Sequence, residues 1–329
     1  MINIVGGAGF IGTQLSRLMF LDGIINFRIV DKNISSCFPD KAVVADICSL
    51  KDLRETLVDN SILINLAAEH RDDVFPKSLY QEVNVGGAIN ICTVAREKNI
   101  NKIIFTSSVA VYGFAPIGTS ESGTIAPFNE YGRTKWEAEQ IYKKWQEEDP
   151  LNRTLVIIRP TVVFGEGNRG NVFNLLKQIA SGKFIMVGNG LNRKSLAYVN
   201  NVAAFLKFSL NFAPGVYIYN YIDKPDFTMN MLISLVNKLL GRSVKIRIRL
   251  PVYIGLFIGY SFDLFSKIFG INFTISSIRV KKFCANSIYV SSIESTGFVP
   301  PVPLLEGVAN TVRYEFIEDH SLNQVFYSE

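Results

Sequence analysis

The sequence predicts an α/β fold, a doubly wound parallel sheet with a smaller C-terminal substrate domain. The chain has 329 residues, of which 48% are hydrophobic and 19% charged, enough for a core of one or two domains. Strand-like apolar runs alternate with helical stretches, and a glycine-rich turn directly follows the first run. The strand-like runs after the first two cover residues 42–45, 62–67, 102–107 and 155–159.

The first strand, turn and helix predict a dinucleotide site. Ile2 to Val5 is apolar, Gly6-x-x-Gly9-x-x-Gly12 follows, and residues 13–21 have helical spacing. In such a unit the glycines permit the tight turn, the approach of a pyrophosphate and close helix packing, and the phosphates lie at the helix N-terminus. We expect the pyrophosphate to bind there.

The next strand ends at an acid that indicates which dinucleotide binds. Asp31 follows Gly12 by 19 residues, where a carboxylate can bond the adenosine ribose hydroxyls, and this favours NAD over NADP. Lys32 leaves tolerance of a 2′-phosphate open, with a solvated loop lysine as the alternative. Asp46, Ala67, Ala68 and Ser108 also fall beyond strand ends, where ligands of such sheets bind.

Tyr131 and Lys135 lie four residues apart on a helix predicted to reach about Trp145, so their side chains share one face. A tyrosine with a pKa near 10 is a poor base unless positive charge favours its phenolate. We expect Lys135 and a nicotinamide ring to supply that charge. Tyr131 would then take a proton from a hydroxyl, with Ser108 holding the oxygen.

Cysteine and histidine usage argues against a metal site or a disulfide framework. Cys37, Cys48, Cys92 and Cys284 are widely separated, and the histidines are His70 and His320. No metal is expected, and a reducing compartment is favoured. Since no signal peptide is recognised, we expect a cytoplasmic protein.

The motifs together resemble the extended short-chain dehydrogenase/reductases, along the whole chain. The segments that carry the resemblance are Gly6 to Gly12, Asn65 to Ala68, Asn84 to Gly87, Thr106 to Gly113, Tyr131-x-x-x-Lys135 and Arg159 to Gly165. The resemblance implies NAD as cofactor and Ser108, Tyr131 and Lys135 as catalytic residues. The implied cofactor contacts are Gly6, Gly9, Phe10, Ile11, Gly12, Asp31, Lys32, Asp46, Ile47, Leu66, Ala67, Ala68, Asn84, Ser107, Tyr131, Lys135, Pro160 and Val162.

The reaction implied by this family is narrowed by two residues. Its dehydratases carry Asp-Glu after the catalytic hydroxyl residue, where this chain has Val109 and Ala110. Dehydration is therefore disfavoured, which leaves epimerases, simple dehydrogenases and decarboxylating relatives. An epimerase needs the triad and tightly held NAD.

Three further segments resemble bacterial 4-epimerases acting on N-acetylglucosamine linked by diphosphate to undecaprenol, for surface polysaccharide assembly. They cover residues 67–74, 169–183 and 194–199. The implied substrate contacts are Ser108, Val109, Arg169, Asn171, Arg193 and Lys194. Many nucleotide-sugar enzymes have arginine where this chain has Lys194; lysine would meet a diphosphate as a point charge rather than bidentately. For each cation a surface charge remains the alternative.

The C-terminal half carries concentrated positive charge. Residues 242–282 hold eight basic residues and one acid, Asp263, whereas the net charge of the whole chain is +5. They flank an aromatic-rich stretch, 250–269, that is apolar nearly all round and must bury in a core or in lipid.

This apolar stretch has about 13 residues before its first charge and is too short to span a bilayer. A buried helix and contact with an anionic membrane surface both remain open; the implied lipid-linked substrate favours peripheral attachment to the cytoplasmic face of the inner membrane. No nucleic-acid motif accompanies the cations.

For domain organisation we expect an NAD-binding domain of residues 1–165 rejoined by about 195–221. A substrate domain, for which membrane contact is left open, would comprise about 166–194 and 222–329. The rival functions are a soluble UDP-sugar 4-epimerase, a net dehydrogenase of a sugar or sterol-like alcohol, and a silent NAD-binding scaffold. A homodimer through two helices of the first domain is expected by analogy only.

Overall fold

The computed structural model describes residues 1–71, 74–244, 248–269, 276–320 and 323–327. Its strands are β1 Ile2–Val5, β2 Phe27–Asp31, β3 Ala42–Val44, β4 Ile62–Asn65, β5 Lys102–Thr106, β6 Thr154–Pro160, β7 Val162–Phe164, β8 Met186–Val187, β9 Arg193–Tyr198, β10 Gly215–Tyr221, β11 Asp223–Thr228 and β12 Arg249–Leu250. Its helices are α1 Phe10–Leu21, α2 Leu50–Thr56, α3 Ser78–Tyr80, α4 Gly87–Glu97, α5 Glu130–Glu147, α6 Asn171–Ala180, α7 Val199–Phe208, α8 Met229–Leu239, α9 Val252–Phe269, α10 Ser277–Cys284 and α11 Leu304–Phe316.

Seven parallel strands form the central sheet in the order β10-β6-β5-β4-β1-β2-β3. The chain runs outward from β1 to β3 and then returns to β4 on the other side of β1. Because all seven strands are parallel, their carboxyl ends share one edge, and the reversal at β1 and β4 opens a crevice there. The predicted doubly wound sheet is confirmed.

Helices cover both faces of this sheet because its strands are apolar on both sides. One core includes Ile4, Leu15 and Phe205, from β1, α1 and α7. The core on the other face includes Leu63, Ile91 and Trp145, from β4, α4 and α5. The predicted strands at 62–67, 102–107 and 155–159 correspond to β4, β5 and β6, with ends shifted by one or two residues.

The remaining elements build a smaller lobe at the carboxyl edge. β11 pairs antiparallel and β7 parallel with β9, while β8 pairs with β12. A third core, which includes Leu176, Val236 and Val308, joins α6, α8 and α11. α9 and α10 pack against each other beside β8.

The helix α9 occupies most of the predicted apolar segment 250–269, and it is not a buried core helix. Tyr253, Phe257 and Leu264 are all more than half exposed. Among the described residues, no helix combines the length and apolarity that crossing a membrane requires. Lys245 and Arg247, two of the predicted flanking cations, lie outside the described residues, as do Asp72 and Asp73 of the segment 67–74.

Candidate functional site

The glycine turn forms a cradle that side chains cannot enter. Gly6 has a φ of +75°, and a Cβ there would lie 2.5 Å from the Ala67 nitrogen; at Gly12 it would lie 2.5 Å from the Gly7 Cα. α1 begins at Phe10 and has no side-chain cap, so the amides of Phe10 and Ile11 lack a side-chain acceptor. Backbone N–H groups at a helix N-terminus suit a pyrophosphate, and the loop therefore fits the dinucleotide expected from the sequence.

Asp31 ends β2 beside this loop. One carboxylate oxygen accepts from the Ala8 amide at 3.1 Å and the other from the Asn33 amide at 3.0 Å. Each oxygen retains acceptor capacity, and the side chain is half-buried at the crevice, as a ribose contact requires. Lys32 is exposed, and it forms no ion pair with any of the described residues.

The other predicted cofactor contacts follow the same strand ends. Asp46 and Ile47 follow β3, with Asp46 exposed and Ile47 buried against Gly87. Leu66, Ala67 and Ala68 follow β4. Pro160 ends β6 and is buried, whereas Val162 begins β7 and is about half exposed. The topology thus brings residues that are distant in sequence to one edge.

Asn84 lies in a π-helical turn, Gln81–Gly86, between α3 and α4. Its buried side chain accepts from the Glu69 amide at 2.9 Å and donates to the Glu69 carbonyl and to Thr134 Oγ1, both at 3.0 Å. Such turns are frequent at functional sites. Asn84 thereby connects the loop after β4 with α5, which carries Tyr131 and Lys135.

Ser108 and Tyr131 come together although they are 23 residues apart. α5 begins at Glu130 because the Asn129 side chain caps it by accepting from the Gly132 amide at 2.9 Å. This start brings the Tyr131 phenol close to the Ser108 side chain. Burial raises the pKa of Tyr131 to about 12, and the Ser108 hydrogen bond acts in the opposite direction.

Lys135 is buried and held by the protein's own groups, and its expected effect on the pKa of Tyr131, together with the nicotinamide ring, stays a prediction. Its ammonium donates to the Thr106 carbonyl at 2.7 Å and lies over the Phe105 ring. Burial lowers the pKa of Lys135 to about 7, against the attraction of Glu139. The depressed pKa of Tyr131 that the sequence predicts would therefore depend on Lys135 and the nicotinamide ring together.

A buried ion pair behind the triad was missed by the sequence reasoning. Arg159 donates to both oxygens of Glu139, at 2.8 and 2.6 Å. Ser107 Oγ donates to the same carboxylate at 2.6 Å. Two features of the sequence could have indicated the pair: Arg159 lies in an otherwise apolar strand, and Glu139 follows Lys135 by four residues. The Ser107 hydroxyl thus faces the interior, and the predicted cofactor contact of Ser107 stays a prediction.

Lys194 has a structural position rather than a free ammonium. Its Nζ donates to the carbonyls of Lys282 and Ala285 at 2.7 and 2.6 Å, and burial lowers its pKa to about 8. These carbonyls lie at the C-terminal end of α10, where a cation is favourable. Lys194 thus ties α10 to β9, and its contact with a diphosphate stays a prediction.

The remaining predicted substrate contacts lie at the small lobe and the sheet edge. Arg169 pairs with Glu315 at 2.8 Å and stacks on Phe173. The side chains of Asn171 and Arg193 are exposed, and Val109 is half-buried directly after Ser108. Their substrate roles stay predictions, and for Arg169 a carboxylate already competes.

The small lobe also contains a cavity of about 480 Å³ between β8, β12 and the start of α9. Asn189, Asn192 and Arg249 contribute its polar lining, with Val187 and Leu250 on the apolar side. Arg249 donates to the Asn189 carbonyl at 2.8 Å. The sequence does not indicate this space, because its walls come from segments about 60 residues apart.

Comparison with known proteins identifies the family to which this site belongs. Residues 2–220 match the model of the NAD dependent epimerase/dehydratase family. The N-acetyl-α-D-glucosaminyl-diphospho-ditrans,octacis-undecaprenol 4-epimerase of Escherichia coli O157:H7 is 44% identical over 99% of this chain and 98% of its own. UDP-glucose 4-epimerase of Vibrio cholerae is 27% identical over 95% and 94%.

Solved structures share the fold. UDP-glucuronic acid 4-epimerase from Bacillus cereus, in complex with NAD, superposes with a TM-score of 0.71 at 18% identity, covering 95% of this chain and 97% of its own. The glycine cradle, the strand-end residues and the Ser108–Tyr131 pair therefore lie in a fold known to hold this cofactor. The chain belongs to the NAD-dependent epimerase/dehydratase family, and NAD is its cofactor.

Proposed function

We propose that this protein is a 4-epimerase that interconverts N-acetylglucosamine and N-acetylgalactosamine on undecaprenyl diphosphate, for the synthesis of surface polysaccharide such as O-antigen. The observation that carries the proposal is the 44% identity, over nearly the whole of both chains, to the E. coli O157:H7 enzyme of that specificity. The neighbouring Ser108 and Tyr131 side chains would provide the chemistry that a sugar epimerase needs.

In the proposed mechanism, NAD held by the glycine turn and Asp31 supplies a reversible hydride acceptor at the sugar C4. Tyr131 takes the proton of the 4-hydroxyl, and Ser108 holds the same oxygen by a hydrogen bond. After the 4-keto sugar has presented its other face, Tyr131 returns the proton. Proton and hydride both return to the sugar, so the reaction is an isomerisation without net reduction.

The triad has a defined electrostatic requirement. Burial raises the pKa of Tyr131 to about 12, which disfavours the phenolate needed to accept a proton. Lys135 has a pKa lowered to about 7 by burial, so part of its population is charged at neutral pH. We propose that Lys135 acts as a cation toward the phenol once substrate and cofactor line the crevice, as the family resemblance implies.

A soluble UDP-sugar 4-epimerase is the second candidate. The Vibrio cholerae UDP-glucose 4-epimerase aligns over nearly the whole chain, and the proposed chemistry would be the same. Against it stands the lower identity of this relative, 27% compared with 44% for the enzyme named for a lipid-linked substrate. A net dehydrogenase would instead need exchangeable cofactor and would form NADH stoichiometrically.

For localisation we propose peripheral attachment to the cytoplasmic face of the inner membrane. A substrate with an undecaprenyl chain is anchored in that membrane, so the enzyme must act at its surface. The cations among residues 242–282 support this attachment, since anionic lipid attracts basic side chains. The homodimer expected by analogy remains a prediction.

The test is epimerisation by the purified full-length protein in detergent, without added NAD. Polyprenyl-diphospho-N-acetylglucosamine and UDP-N-acetylglucosamine are compared, with Tyr131→Phe as the inactive variant and Tyr327→Phe, an exposed tyrosine, as its control. We expect the wild type to turn over the lipid-linked sugar. Tyr131→Phe should lose this turnover, and Tyr327→Phe should retain it. Turnover of the nucleotide sugar alone would refute the lipid-linked substrate and keep the chemistry.

A further inference from the structure

We infer that one face of α9 is the surface through which this protein lies in the interface of an anionic lipid bilayer. The inference deepens the proposed function, because it assigns membrane contact to particular side chains. It rests on that function only in explaining why membrane contact would help the enzyme reach its substrate. We call Tyr253, Phe257, Tyr260 and Leu264 the α9 stripe. Their exposed fractions are 71%, 73%, 51% and 59%.

The α9 stripe is one continuous face. Its members follow one another by four, three and four residues, which places them on a single side of a helix with 3.6 residues per turn. Large apolar side chains that are exposed together in such a row mark an interaction surface, whereas scattered ones need no explanation. The α9 stripe therefore requires a partner.

The opposite face of α9 is already occupied. Gly255 and Gly259 are buried, and a Cβ at Gly259 would lie 2.8 Å from the Ser277 backbone of α10. Asp263 continues this face and accepts from the Ser277 amide at 3.2 Å. Since α10 is fixed against the glycine face, the α9 stripe must point away from the protein.

Charge selects the partner. Residues 252–284 contain the cations Lys267, Arg279, Lys281 and Lys282 and one acid, Asp263, which bonds to α10. The Lys281 ammonium lies 5.4 Å from the centre of the Tyr260 ring, so positive charge borders the stripe. An apolar face rimmed by cations is typical of helices that lie in the bilayer interface, and tyrosine is enriched at that depth. A second copy of this surface would instead bring like charges together.

This surface adjoins the candidate active site. Lys282 of α10 lies over the ring of Phe128 at 4.8 Å, and Phe128 precedes Tyr131 by three residues. Phe128 stacks on Phe114, which is two-thirds exposed. A bilayer that receives the α9 stripe would thus lie near the segment leading into α5, and a lipid-linked sugar could reach the site without leaving the membrane.

Flotation of the full-length protein with vesicles tests the inference. Vesicles of phosphatidylcholine with phosphatidylglycerol are compared with phosphatidylcholine alone. We expect flotation with the anionic vesicles and about a tenfold loss of binding in Tyr253→Ser/Phe257→Ser/Leu264→Ser. The matched control is Ile25→Ser/Leu151→Ser/Val299→Ser, which changes equally exposed apolar residues elsewhere and should float as the wild type does.

A second measurement locates the contact directly. In Leu264→Trp the new indole should be quenched by brominated lipid, whereas in Leu151→Trp it should not. Wild-type protein that stays unbound, or a stripe variant that floats like wild type, would overturn the inference. The inference would also be overturned if the wild type were a dimer in the absence of vesicles and the stripe variant a monomer, since the stripe would then bind a second copy.

The two proposals fail separately. Epimerisation of a short-chain, water-soluble prenyl-diphospho-N-acetylglucosamine in detergent should be unchanged in the stripe variant, because none of its three residues belongs to the candidate catalytic site. Loss of vesicle binding with this activity retained supports the inference. Absence of this activity in the wild type would count against the proposed function and leave the flotation result intact.

Discussion

Arg159 and Glu139 form a two-point ion pair in the protein interior, with exposed fractions of 2% and 0% for their side chains. Arg159 also donates to the Tyr112 hydroxyl at 2.7 Å, and Glu139 accepts from Ser107. The pair thus connects β6 and α5 with the segment that carries Ser107 and Ser108. We interpret it as the support that holds Ser108 opposite Tyr131.

Replacing Glu139 with glutamine should destabilise the protein strongly. Arg159 would remain buried without a counter-charge, and breaking a buried pair in this way costs about 3–5 kcal/mol. The free energy of unfolding in urea measures the loss. Glu147→Gln, at the exposed end of the same helix, should change it by less than about 0.5 kcal/mol. A loss of similar size in both variants would refute the special role of the pair.

Ser108→Ala should reduce epimerisation by about a hundredfold and change its pH dependence. The Ser108 hydrogen bond lowers the pKa of Tyr131, so its removal raises that pKa. The phenolate of Tyr131 then forms at higher pH, and the acid limb of the kcat/KM profile should shift to higher pH. Ser108→Thr should restore much of the activity, and Ser122→Ala, an exposed position, should leave the profile unchanged. An unshifted acid limb in Ser108→Ala would contradict the assignment.

Lys135 should make stability depend on pH. Because burial lowers its pKa from 10.5 to about 7, the folded protein binds fewer protons than the unfolded chain between these values. Stability contributed by this group therefore rises with pH across that window, by up to about 1.4 kcal/mol per pH unit. Unfolding of the wild type and Lys135→Met is compared at about pH 7, 8 and 9.

The expected result is a difference between wild type and Lys135→Met that grows in favour of the wild type as pH rises. Lys144→Met changes an exposed lysine of the same helix and should give a constant difference. A constant difference for Lys135→Met as well would show that Lys135 keeps an ordinary pKa in the folded protein.

Gly12→Ala should strongly reduce the amount of NAD that purifies with the protein. The new Cβ would lie 2.5 Å from the Gly7 Cα and force the glycine turn open. Gly86→Ala is the control, since its Cβ would meet only the Gln81 carbonyl at 3.8 Å. Bound cofactor is measured by absorbance and by chromatography after acid release. Equal cofactor content in the two variants would exclude the turn as the pyrophosphate site.

The sequence by itself determined the parallel sheet and the glycine turn, and it predicts Ser108, Tyr131 and Lys135 as the triad. Each depends on a local pattern: apolar runs of strand length, glycines at fixed spacing before a helix, and Tyr131 four residues before Lys135. Local patterns can be read in order along the chain because the backbone conformation that they require is set by neighbouring residues. The helix at 252–269 was indicated by its continuous apolar run, whereas its exposure was left open.

Only the tertiary structure decided how distant side chains are used. The sequence predicts Lys194 at a diphosphate, and the structure places its ammonium at the end of α10, which approaches β9. It predicts Lys135 beside Tyr131, and the structure adds a bond from its ammonium to the Thr106 carbonyl and a burial that raises the pKa of the phenol. Arg159 finds Glu139 across two elements, and α9 is exposed because α10 covers only its glycine face. Burial, pairing and pKa depend on which segments meet in space, and that information lies in the packing of the whole chain rather than in any one motif.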